Sequence, residues 1–340
     1  MSQPETPDTP AATSTLRPAT PKNVGGKSRQ RDAERPPAEL ADQRRRIWTR
    51  LDPEYRFTPH YVRWDGQWLH FLDEGNSQAP ALLLLHGNPT WSFLWRKQIE
   101  ALRERFRVIA LDLPGMGFSE RTPGRTRRLA EHVAAVEFLV GELGLERLAL
   151  GLHDWGGPIG LGFARRHPEA VRAVALFNTA AFPFPKLPGR LALARSALLG
   201  PPLVRGLGLF NRGLLRIGMT QRRPLSAVER RGYLAPYAGP ADREQVLAFV
   251  QDIPMEPAHP SYGELAATGE SLARLASLPR LIVWGQRDPI FHGEILAEWQ
   301  RRWPDAEYVT LPRAGHLVME DEPAAVNQAL LRFFERWARS

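Results

Sequence analysis

Short runs of consecutive apolar residues alternate along the chain with longer stretches in which apolar positions recur every three or four residues. Ala81 to Leu85, Phe106 to Leu111, Arg147 to Leu152 and Val171 to Phe177 read as strands covered on both faces. Helical stretches near Ser92 to Arg103, near Arg127 to Val140 and over Ile159 to Ala164 separate them. Such alternation predicts a mostly parallel sheet between layers of helices. Ahead of it, His60 to Trp64 and Gln67 to Leu72 are joined by Asp65-Gly66. That dipeptide suits a two-residue hairpin, in which both central residues need positive φ. From Phe182 to about Ala267 the alternation stops. Prolines, glycines and apolar helical stretches take its place, over Leu191 to Leu199, Leu203 to Ile217 and Arg243 to Phe249. It resumes with Arg280 to Trp284, a helix near Glu294 to Arg302, Glu307 to Leu311 and a last helix from about Pro323 to Ala338. The pattern predicts an eight-stranded α/β core over 46–181 and 268–340. A helical cap over 182–267 enters it between strands six and seven and lies over the sheet edge that carries the chemistry.

Residues 1–45 are rich in Pro, Thr, Ser and charge and show no apolar periodicity, so a disordered tail is expected there. No run of eighteen apolar residues occurs, and the first residues have neither the charged nor the apolar region of a signal peptide, which predicts no membrane span and no secretion. The absence of cysteine in 340 residues excludes disulfides and thiolate chemistry and suits a reducing compartment, the cytoplasm. The net charge of +8 is almost wholly arginine, since the lysines are Lys22, Lys27, Lys97 and Lys186. The arginines are spread along helices among Glu and Asp, which predicts a solvated surface rather than a nucleic-acid interface.

One stretch concentrates candidate chemistry. In Gly151-Leu152-His153-Asp154-Trp155-Gly156-Gly157-Pro158 an apolar strand meets a glycine-opened helix at a carboxylate. A sharp turn between strand and helix thrusts one side chain out at the top of a parallel sheet, and glycines fill the strained, close-packed positions. An N-capping Asp would not need Gly156 and Gly157. A carboxylate at such a position attacks saturated carbon and forms an alkyl ester, whereas serine would attack a carbonyl. Asp288, after the Arg280 to Trp284 strand, and His316, after the Glu307 to Leu311 strand, complete the order nucleophile, acid, histidine of α/β hydrolases. Each alone reads as an ordinary loop residue. Together they predict a carboxylate that orients an imidazole toward water. Asn88 and Trp155 are the candidate anion stabilisers through their backbone N–H groups, with an amide and an indole N–H in reserve. No cofactor or metal is expected.

At these motifs, and from about Tyr55 onward, the chain resembles the haloalkane-dehalogenase-like branch of the α/β hydrolases. His86-Gly87-Asn88-Pro89-Thr90-Trp91-Ser92-Phe93-Leu94-Trp95-Arg96 and His153-Asp154-Trp155-Gly156-Gly157 carry that resemblance. Where one group within the branch has its acid as a Glu, this chain has Asn178, so the acid must be Asp288. Leu152 stands where a smaller residue is usual. Asn178 to Pro185, Leu234 to Tyr237 and Gln251 to Pro254 are closer to the cis-3-alkyl-4-acyloxetan-2-one (β-lactone) decarboxylases of bacterial olefin biosynthesis. That resemblance implies an α/β-hydrolase fold and a substrate with two long alkyl chains. It also implies release of CO₂ and a cis-olefin, and a working association with the synthetase that forms the lactone. Haloalkane dehalogenase, with halide released through an alkyl ester of Asp154, is the second expectation. A non-catalytic binding protein on the same fold is the third, and it would not need the full set Asp154, Asp288 and His316.

Overall fold

The Asp65-Gly66 turn starts the sheet. Both residues have positive φ, 47° and 76°, and join β1 (Pro59–Trp64) to β2 (Gln67–Glu74) with Trp64 opposite Gln67. The computed structural model describes residues 36–51, 54–219 and 225–339. Beyond the hairpin come β3 (Ala81–Leu85), β4 (Arg107–Leu111), β5 (Leu148–His153), β6 (Val171–Phe177), β7 (Arg280–Gly285) and β8 (Glu307–Leu311). They form one eight-stranded sheet in the order β1-β2-β4-β3-β5-β6-β7-β8. β2 runs antiparallel to β1 and β4, and all later pairs are parallel. Every residue of β3, β5 and β7 is buried, which is why these strands read as unbroken apolar runs.

Helices α1 (Ala38–Thr49), α2 (Arg96–Leu102), α3 (Leu129–Glu142) and α4 (Gly156–Arg166) precede β6. Between β6 and β7 lie α5 (Gly189–Arg195), α6 (Leu209–Ile217), α7 (Ala227–Leu234), α8 (Glu244–Gln251) and α9 (Tyr262–Ser271). After β7 come α10 (Gly293–Arg302), α11 (Val318–Asp321) and α12 (Pro323–Arg339). α2 packs on α12, and α4 packs on α3 and α9, giving two helical groups against the sheet. Among the described residues no helix is long and apolar enough to cross a membrane.

Two boundaries differ from the sequence expectation. The expected tail over 1–45 ends too late, because α1 already runs from Ala38; residues 1–35 lie outside the described residues. Arg44 is buried and donates from Nη2 to the Ser119 carbonyl at 3.2 Å. Trp48 stacks on Phe118, with ring centroids 5.4 Å apart. A few specific contacts hold α1, and composition averaged over the whole segment conceals them. The expected cap over 182–267 also ends too late. Leu265 and Thr268 on α9 are buried, and Glu264 pairs with Arg165 and Arg166 of α4 at 2.7 and 3.0 Å. α9 therefore belongs to the helical layer on the sheet.

Candidate active site

β5 lies between β3 and β6, with Leu85 paired to Leu152, so the residues beyond the ends of β3 and β5 emerge side by side. β3 leads on to β4 on one side and β5 to β6 on the other. Their carboxyl ends therefore open the crevice in which α/β sheets place ligands. Asp154 sits there with φ at 51°, the left-handed region that a non-glycine residue adopts only when its surroundings enforce it. Its carbonyl accepts from Thr179 Oγ1 at 2.5 Å and from Gly157 N at 2.9 Å. A Cβ on Gly156 would collide with the Leu85 carbonyl and one on Gly157 with the Thr179 side chain. Gly160 similarly leaves the room that Leu152 fills, which accommodates the larger residue at the strand end. Trp155, not Asp154, is the residue flanking α4, and no side chain caps that helix.

The residues singled out in the sequence meet at this point. Asp154 Oδ1 accepts from the Asn88 backbone N–H at 2.7 Å. His316 places Nε2 at 3.8 Å from Asp154 Oδ2, while its Nδ1 lies 2.9 Å from Asp288 Oδ2. The backbone N–H groups of Ile290 and Phe291 donate to Asp288 Oδ1 at 2.7 and 3.1 Å. Asn88 and Trp155 both line the cavity beside Asp154. The Asn88 amide donates to the Val246 carbonyl on α8 at 3.1 Å, tying the turn after β3 to the cap.

Burial of Asp154 pushes its pKa up from 3.8. The charge of His316 and the N–H groups of Asn88 and Trp155 oppose that rise without cancelling it. For His316 burial acts downward, but Asp288, by charge and hydrogen bond, and Asp154 outweigh it and raise the imidazole above its ordinary 6.5. The neighbouring His153 is held neutral by burial and by His316. Its neutral ring donates from Nε2 to the His316 carbonyl at 3.0 Å.

Sequence reasoning missed several residues that hold this set. Asn178 has φ at 34° and donates from Nδ2 to Asp288 Oδ2 at 2.8 Å and to the Gly285 carbonyl at 3.1 Å. Its Oδ1 accepts from Gly285 N at 2.8 Å, so one side chain clamps the ends of β6 and β7 and the acid together. His86 accepts at Nε2 from Leu113 N at 2.9 Å, and its Nδ1 lies 2.8 Å from the Gly87 carbonyl, fixing the turn that carries Asn88. Only an Asn at a strand end, a residue tolerant of positive φ, offered a signal for the first.

Above Asp154 lies a partly open cavity of about 130 Å³. Apart from Asn88, Asp154 and Lys186 its lining is apolar, with Phe182, Phe184, Leu191 and Phe210 on the cap side and Phe291 and Ile295 on the core side. Lys186 pairs with Glu294 at 2.7 Å, and both residues are exposed.

Residues 80–323 match the model of the alpha/beta hydrolase fold family. The chain belongs to the α/β-hydrolase family. Within that family it is 36% identical, over 84% of its length and 98% of the relative, to the cis-3-alkyl-4-alkyloxetan-2-one decarboxylase of Xanthomonas campestris. That name puts an alkyl group at ring position 4, where the sequence resemblance expected an acyl group. The chain is also 36% identical, over 83% of its length and 98% of the relative, to haloalkane dehalogenase 2 of Mycobacterium tuberculosis. Among solved structures, haloalkane dehalogenase DbeA from Bradyrhizobium elkani superposes with a TM-score of 0.77 at 25% identity, over 84% of this chain and 100% of that one. The α/β-hydrolase has thus matched two activities at equal identity, and the choice between them falls to the walls of its site.

Proposed function

We propose that this α/β-hydrolase decarboxylates a long-chain cis-3,4-disubstituted β-lactone to a cis-olefin and CO₂, with Asp154 as covalent nucleophile. The support lies in the cavity wall. Two of the stretches resembling β-lactone decarboxylases, 178–185 and 251–254, supply Ala180, Phe182, Phe184, Ile253 and Pro254 to it. Wall residues select a substrate, and these are apolar, as alkyl chains require.

In this reading the Asp154 carboxylate attacks the ring carbon bearing the lactone oxygen from behind. The carbon–oxygen bond breaks and its electron pair leaves on the released carboxylate, on the side of the carbon away from Asp154, while the N–H groups of Asn88 and Trp155 hold the Asp154 carboxyl group. Inversion leaves that carboxylate antiperiplanar to the new ester bond. The bond to CO₂ then breaks, its electrons form the double bond, and Asp154 departs as the carboxylate that attacked. The two chains keep their cis relation, and no water is consumed. Asp288 and Asn178 orient His316, which acts on Asp154 through its charge. The lactone would come from a β-lactone-forming synthetase, with which we infer a working association.

Haloalkane dehalogenation is the second reading, favoured by one distance. His316 Nε2, 3.8 Å from Asp154 and backed by Asp288, is placed to take a proton from water attacking an Asp154 ester. Purified chain offered a dialkyl β-lactone and a bromoalkane in parallel separates the two, with CO₂ and cis-olefin from the lactone expected. Halide release with no olefin would replace the proposal by the second reading.

A further inference from the structure

The cap carries an outer face that the core does not cover. Between Glu169 and Glu229 the chain has no Asp or Glu, yet it holds Arg190, Arg195, Arg205, Arg212 and Arg216. Among the described residues the exposed large apolar side chains fall in this same stretch: Leu193, Leu198, Leu199, Leu207, Leu209 and Ile217. Leu198 is 80% exposed and Leu207 59%. α6 buries Asn211 and Leu214 while exposing Leu209, Arg212, Arg216 and Ile217, and α5 buries Ala194 while exposing Arg190 and Leu193. Leucines interleaved with arginines along a stretch that itself contains no carboxylate match an interface of lipid tails and anionic headgroups. The same stretch also reaches inward, since Leu191 and Phe210 line the cavity above Asp154.

We propose that this face, from α5 through α6, docks on the surface of an anionic lipid bilayer, and that apolar substrate passes between bilayer and cavity past Leu191 and Phe210. A second copy of the chain is a poorer occupant, because a two-fold interface would set this arginine-bearing face against itself. Passage of substrate rests on the long-chain reading above, whereas docking does not, so docking is measured without substrate.

The test is cosedimentation of the full chain with phosphatidylcholine vesicles, with and without phosphatidylglycerol, at low and high salt. Binding to the anionic vesicles is expected, weaker by at least about tenfold without phosphatidylglycerol or at high salt. The Leu198→Asp/Leu207→Asp and Arg205→Gln/Arg212→Gln chains should each lose about tenfold or more in binding. Both should keep the parent Tm and the parent turnover of a short-chain, water-soluble substrate. No binding to anionic vesicles, or equal binding by both variants, overturns the proposal. So does light scattering that finds an oligomer which Leu198→Asp/Leu207→Asp dissociates. Vesicle binding by a chain that proves inactive on lactones still supports docking and removes only the passage of that substrate.

Discussion

At Asp154 the chain combines backbone strain with burial, and both are tied to neighbours: Thr179 holds the carbonyl and Asn88 the carboxylate. Asp154→Asn should therefore keep the fold and Tm while lowering turnover by ~10³-fold or more, since a neutral amide is a poor nucleophile in the same geometry. Wild-type turnover in the folded variant would exclude a covalent cycle. Burial also fixes the sign of the pH dependence. Attack needs the carboxylate ionised, and its pKa is raised from 3.8, so kcat/KM should fall on acidification at a pH above the ordinary carboxylate value. A hydrolytic cycle also needs neutral His316, whose pKa is raised from 6.5, so its kcat would already fall as pH drops through that higher value. A pH–rate profile on the lactone is expected to have one acid limb, from Asp154, and to decline at high pH as His316 loses the charge that acts on Asp154. Asp154, Asp288 and His316 were legible in the sequence because each follows a strand, in the order nucleophile, acid, histidine. Asn178 was not, because its work depends on Gly285 and Asp288, more than a hundred residues away along the chain.

Elements were legible where an unbroken apolar run or a turn signal marks them. The leucine run of β3 announces itself, whereas α1 is held by Trp48 and Arg44 within a polar stretch and was read as tail. Short α11, just after His316, escaped notice too, although Glu320 on it anchors the histidine loop. Arg96 at the start of α2 pairs with Glu320, donating from Nη2 to Oε2 at 3.2 Å; Lys97 and Tyr233 donate to the same carboxylate, both at 2.7 Å. Arg96 and Glu320 are both buried. This explains structurally why an arginine closes the motif that begins at His86. Arg96→Met leaves Glu320 buried without its main partner, and a loss of about 3–5 kcal/mol is expected, measured by denaturant unfolding. Burial alone would raise the Glu320 pKa, but Arg96 and Lys97 outweigh it and hold it below 4.5. That stabilisation is present above 4.5 and lost as pH falls through the lowered value, so the parent chain should lose it in acid and the variant should have little left to lose.

On the scale of the whole molecule, sheet, cap and cavity decide whether water takes part. The sheet delivers Asp154 and His316 to one crevice, and the cap closes over them with apolar side chains, leaving the cavity partly open to solvent. The eight strands and the insertion after the sixth could be read from hydrophobic pattern alone. Access of water to an ester on Asp154 could not, because it depends on how side chains distant in sequence fill the space above it. Turnover in ¹⁸O-water makes that access measurable. In the decarboxylation cycle Asp154 leaves with the oxygens it brought, so its peptide should carry no solvent label after many turnovers of the lactone. In a hydrolytic cycle water attacks the ester carbonyl, and each turnover can leave a solvent oxygen in the side chain. His316→Ala adds a second, independent readout: a hydrolase would accumulate the alkyl ester, whereas a decarboxylase has no hydrolytic step to block and would lose rate only through the missing charge beside Asp154. Solvent label in the Asp154 peptide during lactone turnover, or a trapped ester in the variant, would overturn the water-free cycle, because the first requires that water attack the ester carbonyl and the second that this attack is the step His316 serves.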